Sequence, residues 1–180
     1  MRVRIALIGG SFNPPHVGHQ MLWLYVRETA RADRVLVAPA DHHHFGKALV
    51  SFEDRMEMTR LAAAPIAGLE VTDLERVAGG TGRMLLTVEA LRAQAPGAEV
   101  VLVIGADIVA ELPKWHRWED LRAEVELLVV GRQGAGGAYP VEISCVSSTE
   151  VRERIARGED CSALVPASVL GYIAARGLYR

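Results

Sequence analysis

The sequence predicts an α/β fold in three layers, with a mostly parallel sheet between helices and further helices at the C-terminal end. Apolar runs of strand length, each bounded by turn residues, occur at residues 3–8, 34–38, 69–72, 99–104 and 126–130. Segments of helical periodicity separate these runs. Continuous apolar strands that alternate with helices are typical of a parallel sheet covered on both faces, which is a Rossmann-like α/β/α arrangement.

The first three helices are predicted from apolar spacing and capping residues. The first carries four apolar residues on one helical face: Val17, Met21, Leu24 and Tyr25. A second helix is expected after Ser51, because Asp54 stands at the capping-box distance. Residues 85–95 have the pattern of a third helix.

The C-terminal part is predicted to be helical. Ser147 stands three residues before Glu150, which is a capping-box spacing, so a helix is expected over residues 148–157. Another is expected to begin at Pro166 and to end at Gly177, because proline suits a first helical turn and glycine suits a helix stop.

Composition limits the classes of function. A chain of 180 residues, half of them apolar, suits one domain over residues 1–180, and its net charge of −2 offers no basic field for a nucleic acid. No segment reaches the roughly 18 apolar residues that span a bilayer. The apolar run that ends at Ile8 is too short for a signal peptide. With Cys145 and Cys161 expected to be reduced thiols, a cytoplasmic protein is predicted.

The loop after the first strand carries the strongest chemical signal. Residues 9–19 read GGSFNPPHVGH and lead into a helix. Ligands of parallel sheets lie at the carboxyl ends of strands, glycines let the backbone approach a phosphate, and helix-start amides attract anions. His16 and His19 are three residues apart, so both imidazoles are expected on one side of the first turn, where they can donate hydrogen bonds to a phosphoryl oxygen.

The residues of this loop could also serve purposes other than phosphate binding. The histidines could be zinc ligands or surface residues, and the glycines could simply form a tight turn. The loop concentrates two prolines, two histidines and three glycines in eleven residues, which leaves few such uses. A dinucleotide-binding loop is disfavoured because G-x-G-x-x-G is absent.

Two later segments are expected at the same edge of the sheet. Ser148 and Arg152 lie four residues apart at a helix start, which forms a second anion cradle or, alternatively, a simple cap with a solvated arginine. Gly105 and Asp107 follow a strand and should lie near Ser11. The carboxylate there can accept hydrogen bonds from ribose hydroxyls, cap a helix, or do both.

The string at residues 9–19 resembles the signature of the nicotinate or nicotinamide mononucleotide adenylyltransferases, within the superfamily of nucleotidyltransferases that share a His-x-Gly-His core. Three further stretches support this: residues 104–107 with 113–115, residues 147–149 with Arg152, and residues 177–180. The resemblance therefore covers the whole chain. It implies an enzyme of NAD biosynthesis that joins a pyridine mononucleotide to the AMP part of ATP and releases pyrophosphate.

The resemblance also implies roles for individual residues. Catalysis falls to His16, His19 and Arg152. ATP is bound by Gly9, Gly10, Ser11, Phe12, Gly18, His19, Gly105, Asp107, Ser147, Ser148, Thr149 and Arg152. The mononucleotide is bound by His44, Lys47, Trp115 and Arg132, with Trp115 as the platform for the pyridine ring.

The sequence departs from the family pattern in two places. Around His44 and Lys47 the spacing differs by a residue or two, and the three adjacent histidines at positions 42–44 could instead bind a metal. The Tyr-Thr pair expected at the start of the third helix is replaced by the residues of the segment 79–84. Both departures concern residues that the family uses to bind the mononucleotide, so they bear on how its base is recognised.

The mechanism expected is direct attack of the mononucleotide phosphate on the α-phosphorus of ATP, with Mg²⁺ arriving on the triphosphate. The partners are then ATP and a pyridine mononucleotide, without nucleic acid or membrane, and a homo-oligomer is left open. The alternatives are another enzyme with the same His-x-Gly-His core, of the phosphopantetheine adenylyltransferase or cytidylyltransferase type, and a non-catalytic nucleotide-binding module.

Overall fold

The computed structural model describes residues 2–42, 49–134, 140–143 and 146–180. Its sheet has six strands in the order β3-β2-β1-β4-β5-β6. The strands are β1 (Arg4–Gly10), β2 (Arg34–Pro39), β3 (Leu69–Val71), β4 (Glu99–Gly105), β5 (Glu126–Arg132) and β6 (Glu142–Ile143). Every strand pair among these is parallel, so the predicted parallel sheet is confirmed. The two-residue strand β6 is too short for sequence periodicity to reveal.

Seven α-helices and one 3₁₀ helix lie in the described ranges. They are α1 (Val17–Thr29), α2 (Phe52–Ala63), α3 (Leu74–Val77), α4 (Met84–Gln94), the 3₁₀ helix (Ala106–Lys114), α5 (Trp118–Glu124), α6 (Ser148–Ala156) and α7 (Ala167–Arg176). The predicted helices α1, α2, α4, α6 and α7 are confirmed to within a few residues. None of the described helices is both long and apolar enough to cross a membrane.

The central strand β1 shows why the fold has three layers. Ile5 and Leu7 point to the face covered by α4 and α5, whereas Ala6 and Ile8 point to the face covered by α1, α2, α6 and α7. Successive side chains of a strand alternate between the two faces of a sheet, so a strand of continuous apolar residues is buried on both. The predicted α/β/α layering is therefore confirmed.

The strand order creates a crevice beside β1. The chain moves from β1 to β2 and β3 on one side, and then returns to place β4 on the other side of β1. The register pairs Ile8 with Val103, and Gly105 with Val130, so β1, β4 and β5 end at one edge. Ligands of open parallel sheets bind where the strand order reverses in this way.

The predicted caps are present. The Ser147 hydroxyl accepts the N–H of Glu150 at 3.1 Å, and the Ser51 hydroxyl accepts the N–H of Asp54 at 3.0 Å. Gly177 follows α7 with a φ of 63°, a left-handed conformation that glycine adopts readily. These local signals fix where α2, α6 and α7 begin or end.

In α1, the apolar face predicted from the sequence is only partly buried. Met21 and Leu24 are each 47% exposed, while Trp23 and Val26 are fully buried against the sheet. Trp23 and Val26 are three residues apart and form a second apolar face of the same helix. The helix was predicted correctly, but its spacing alone did not say which face meets the core.

Candidate functional site

A cleft opens at the crevice where β1 and β4 end. Its volume is about 470 Å³, within the range of sites that hold small molecules. The residues predicted to bind ATP all line it: Gly9, Gly10, Ser11, Phe12, Gly18, His19, Gly105, Asp107, Ser147, Ser148, Thr149 and Arg152. His16 and Arg132 line it as well. Four chain segments that are distant in sequence thus meet around one space.

The two glycines at the end of β1 are closely packed, Gly10 against a rigid ring and Gly9 against the flexible end of a side chain. A Cβ atom on Gly10 would lie 2.8 Å from two ring carbons of Phe12, and one on Gly9 would lie 2.7 Å from the terminal methyl of Met84. Both distances are shorter than van der Waals contact allows. Phe12 is itself buried, with a φ of 45°, and such left-handed backbone in a bulky residue occurs where surrounding structure holds it in place.

The two histidines stack at the start of α1. Their ring centroids are 3.7 Å apart and the ring planes differ by 21°. The backbone N–H of His16 donates to Nδ1 of His19 at 3.1 Å. Because Nδ1 of His19 accepts this bond, the proton of its neutral ring is on Nε2, which is left as a donor for a ligand in the cleft.

Both imidazoles are neutral at physiological pH. Burial, with a further contribution from the positive charge of Arg132, lowers the pKa of His16 from 6.5 to about 4. Burial also holds the pKa of His19 well below its usual value, and the charges of His16 and Arg132 act in the same direction. Neutral rings can stack without the repulsion that two imidazolium ions would suffer at this distance.

Two aromatic side chains pack against the ring of His19. Phe12 meets it edge-on at 5.0 Å between centroids, and the buried ring of Trp23 lies 6.2 Å away, nearly parallel to it. The Nδ1 atom of His16 is buried without a hydrogen-bond partner among the described residues. The pair is therefore held by packing, and its polar atoms are not all satisfied by the protein.

The start of α6 is fastened to the first loop. The Ser148 hydroxyl donates to the carbonyl oxygen of Pro14 at 2.8 Å, and Nη1 of Arg152 donates to that of Asn13 at 2.8 Å. Nη2 of Arg152 reaches Thr149 Oγ1 at 3.3 Å. The second segment predicted to hold phosphate is thus locked against the loop that carries the histidines.

Asp107 and Arg132 form an ion pair across the ends of β4 and β5. Nη1 of Arg132 lies 2.7 Å from Oδ2 of Asp107, and Nη2 donates to the carbonyl oxygen of Val146 at 3.3 Å. Both side chains are about one-third exposed. Arg132, predicted on the mononucleotide side, therefore contacts the carboxylate that was predicted to contact ribose.

Of the other residues predicted to bind the mononucleotide, only Trp115 lies within the described residues, and it is not brought together with the histidines. His44 and Lys47 lie outside the described residues, as does the rest of the histidine run except His42. Trp115 is half-buried in the bend after the 3₁₀ helix, edge-on to Trp118 at 6.4 Å, and is not among the described residues that line the cleft.

The segment that departs from the family pattern packs against the loop after β2. The buried carboxylate of Glu75 accepts the N–H of Asp41 at 2.6 Å and also the N–H of Gly82. Nδ1 of His42 lies 2.6 Å from the carbonyl oxygen of Gly80. Glu75, in the short helix α3, therefore joins the loop after β2 to the segment before α4, a role that no sequence motif indicated.

Arg55 is the second residue that the sequence reasoning missed. Its guanidinium is 1% exposed and donates to backbone carbonyls at the ends of both β1 and β2: to Ser11 at 3.1 Å, to Asp41 at 3.0 Å and to Ala40. Burial lowers its pKa, with partial compensation from the charges of Asp41 and Glu75. It fixes the loops on either side of the sheet edge relative to each other.

Comparison with known proteins covers nearly all of this chain. The sequence model of the cytidylyltransferase-like family matches residues 7–154. A protein of Anaeromyxobacter dehalogenans (strain 2CP-1) named "Probable nicotinate-nucleotide adenylyltransferase" is 45% identical over 98% of this chain and 96% of its own length. A relative of the same name from Myxococcus xanthus is 40% identical over 98% and 95%.

Solved structures agree in fold. A Plasmodium falciparum nicotinic acid mononucleotide adenylyltransferase complexed with NaAD superposes with a TM-score of 0.84, covering 99% of this chain and 98% of the other at 17% identity. A Vibrio parahaemolyticus structure described as a putative nicotinate-nucleotide adenylyltransferase gives 0.76 at 21% identity, with coverage of 100% and 96%. At sequence identities of 17% and 21%, these structural similarities show a shared fold.

Proposed function

The chain belongs to the cytidylyltransferase-like family and, within it, to the nicotinate-nucleotide adenylyltransferases, and from that premise we propose how its cleft carries out the reaction. The enzyme transfers AMP from ATP to nicotinate mononucleotide, giving deamido-NAD and pyrophosphate. The observation that carries the assignment of roles is the stacked pair His16 and His19, which stands at the start of α1 in the cleft between β1 and β4.

The reaction is an in-line displacement at phosphorus. An oxygen of the mononucleotide phosphate forms a bond to the α-phosphorus of ATP, and the bond from that phosphorus to the bridging oxygen of pyrophosphate breaks. Both reactants are anionic, so the protein has to hold them together and stabilise the charge that gathers on the oxygens of the α-phosphate. No covalent enzyme intermediate is required.

The histidines act as neutral donors. With their pKa values lowered by burial, neither ring supplies a proton from an imidazolium at neutral pH. The Nε2–H of His19 is the donor that can reach an α-phosphate oxygen, because Nδ1 is occupied by the backbone of His16. Stacking and the Phe12 edge fix the direction of this donor before the substrate arrives, which is the condition for stabilising a transition state.

Positive charge comes from two helix starts and from arginine. Residues at the beginnings of α1 and α6 line the cleft, among them Ser147 and Ser148, and their helix-start amides are the proposed phosphate donors. Arg152 is the triphosphate-binding cation, one turn into α6 and already oriented by the carbonyl of Asn13. Asp107, held by Arg132, is positioned to accept from the ribose hydroxyls of ATP.

Mg²⁺ is proposed to arrive as part of the MgATP substrate, where it offsets charge on the triphosphate. Among the residues that the structure describes, no group of three histidine, cysteine or acidic side chains could hold a metal ion. Among the described residues that line the cleft, the acidic one is Asp107, and its carboxylate is already paired with Arg132. In this proposal the protein supplies hydrogen-bond donors and an arginine to the triphosphate, and the ion arrives with the nucleotide.

A separate set of residues is proposed for the mononucleotide. Trp115 remains the candidate stacking surface by resemblance, half-buried and braced by Trp118. His44 and Lys47 are proposed for the mononucleotide phosphate on the same ground.

The test is pyrophosphate release from MgATP with nicotinate mononucleotide and nicotinamide mononucleotide in parallel. Phosphopantetheine as acceptor, and CTP in place of ATP, serve as the controls for related chemistries. The proposal expects fastest turnover with ATP and nicotinate mononucleotide. Turnover of ATP with phosphopantetheine and none with either pyridine mononucleotide would overturn the acceptor. Faster turnover of CTP than of ATP with nicotinate mononucleotide would overturn the donor. Both results would leave the family and its cleft.

A further inference from the structure

Asn13 joins three remote parts of the chain just before the histidine turn. Its side-chain oxygen accepts the N–H of Val50 at 3.3 Å and the hydroxyl of Tyr179 at 2.8 Å. Its backbone carbonyl accepts Nη1 of Arg152 at 2.8 Å. Asn13 is itself 2% exposed. The segment that leads into His16 is therefore held from the start of α2, from α6 and from the segment after α7.

The contact from Tyr179 comes from the greatest distance in sequence. Its hydroxyl is separated from Asn13 by 166 positions, and burial raises the pKa of this phenol, so the hydroxyl keeps its proton and donates. Tyr179 has a φ of 63°, a left-handed backbone conformation that is uncommon for a bulky residue and persists where neighbouring contacts hold it. The hydrogen bond to Asn13 is such a contact.

We propose that Tyr179 is a positioning residue of the transfer reaction: its hydroxyl, acting through the side-chain oxygen of Asn13, fixes the turn that aims His16 and His19 at the α-phosphorus. The proposal rests on the function proposed above and adds to it a residue outside the cleft lining. A residue that positions a catalytic donor affects mainly the free energy of the transition state. A small displacement of the donor weakens its hydrogen bond more in the transition state than in the ground state.

A purely structural role is the competing explanation, and the chain contains its own control. Tyr172 lies in α7, and its hydroxyl donates to Oδ1 of Asp54 at 2.8 Å. Asp54 is in the first turn of α2 and contacts Ser51 and Arg176, so this bond anchors α7 to α2 without touching the histidine turn. Both tyrosines are half-buried and each loses one hydroxyl when replaced by phenylalanine.

The experiment compares Tyr179→Phe with Tyr172→Phe under saturating MgATP and nicotinate mononucleotide. For Tyr179→Phe we expect kcat to fall roughly three- to tenfold, the range that one lost hydrogen bond between neutral groups can produce. The KM for ATP should stay within about twofold, since the loss concerns the transition state. For Tyr172→Phe we expect an unchanged kcat and a drop in Tm at least as large as that of Tyr179→Phe, because the lost hydrogen bond is one that a carboxylate accepts.

A double-mutant cycle tests the route through Asn13. If Tyr179 acts through that side chain, adding Tyr179→Phe to Asn13→Ala should lower kcat by much less than it does in the wild type. Equal effects in the two backgrounds would overturn the route. Equal kcat values for the two single tyrosine variants, or a kcat that follows Tm, would overturn the positioning role. If the wild type turns over no pyridine mononucleotide, it is the proposed function that fails.

Discussion

Acidification provides a sharp test of the buried histidines. The pKa of His16 is lowered from 6.5 to about 4 by burial and by Arg132, so the unfolded chain binds this proton at a higher pH than the folded one does. Stability contributed by the neutral ring is complete above the unfolded pKa of 6.5. It is lost as the pH falls from about 6.5 towards 4, because in this window protons bind the unfolded state preferentially.

The size of the effect follows from the two pKa values. Between pH 7.5 and pH 5, a histidine that titrates near 6.5 when unfolded and near 4 when folded lowers the free energy of unfolding by about 2 kcal/mol. His19 acts in the same direction, because its pKa is also depressed. Two histidines that titrated normally would contribute nothing of this kind.

The assay is chemical denaturation of the wild type and of His16→Asn at both pH values. Asparagine does not titrate, so the wild type should lose about 2 kcal/mol more than the variant on going to pH 5. Groups remote from position 16 contribute to both proteins and cancel in the difference, whereas His19, which stacks on His16, loses in the variant the part of its lowered pKa that His16 causes. Equal losses, or an NMR titration that places the ring of His16 near pH 6.5, would refute the assignment of neutral buried imidazoles.

Two further predictions concern the first loop. His19→Ala should lower kcat by about 10²- to 10³-fold, the usual cost of removing one donor to a transition-state oxyanion, with little change in the dissociation constant of ATP measured by calorimetry; unchanged turnover with normal ATP binding would refute the role of His19 as that donor, and a wild type that binds ATP without any turnover would favour a non-catalytic nucleotide-binding module. Gly10→Ala should destabilise the fold by about 1–3 kcal/mol in thermal melts because its methyl meets the ring of Phe12, whereas Gly9→Ala should cost about 1 kcal/mol or less because it meets only the flexible end of Met84. Equal losses for the two glycine variants would contradict this packing.

The sheet was predictable because its signals are local and repeated. Each long strand is a run of apolar residues between turns, and an alternation of strands and helices allows few topologies other than a parallel sheet. Of the elements that were missed, α3, α5 and β6 have too few residues for a period to appear, and the 3₁₀ helix repeats every three residues and not every 3.6. For α1, spacing could not choose between two apolar faces, because the choice depends on which face the sheet covers.

The candidate site could be predicted where its chemical groups lie close together in the sequence. A strand end, a glycine pair and two histidines at helical spacing are visible in one string, and strand order brings them to Asp107 and to the start of α6. Arg55 and Glu75 gave no such signal, and Tyr179 belongs to the stretch 177–180, which supported the family resemblance without a role for any of its residues. Each acts on backbone or side-chain atoms of another segment, and such partners exist only once the chain has folded.

These supporting residues bear on how a chain with a net charge of −2 holds two polyanions. The histidines are neutral, Arg132 is paired with Asp107, and Arg152 is oriented by a backbone carbonyl, so no large positive field draws the substrates in. What the cleft offers is directed donors whose orientation is fixed in advance by buried contacts. Preorganised donors cost no reorganisation at the moment of reaction, and rate enhancement should therefore depend on distant positioning residues such as Tyr179 as well as on the groups that touch phosphate.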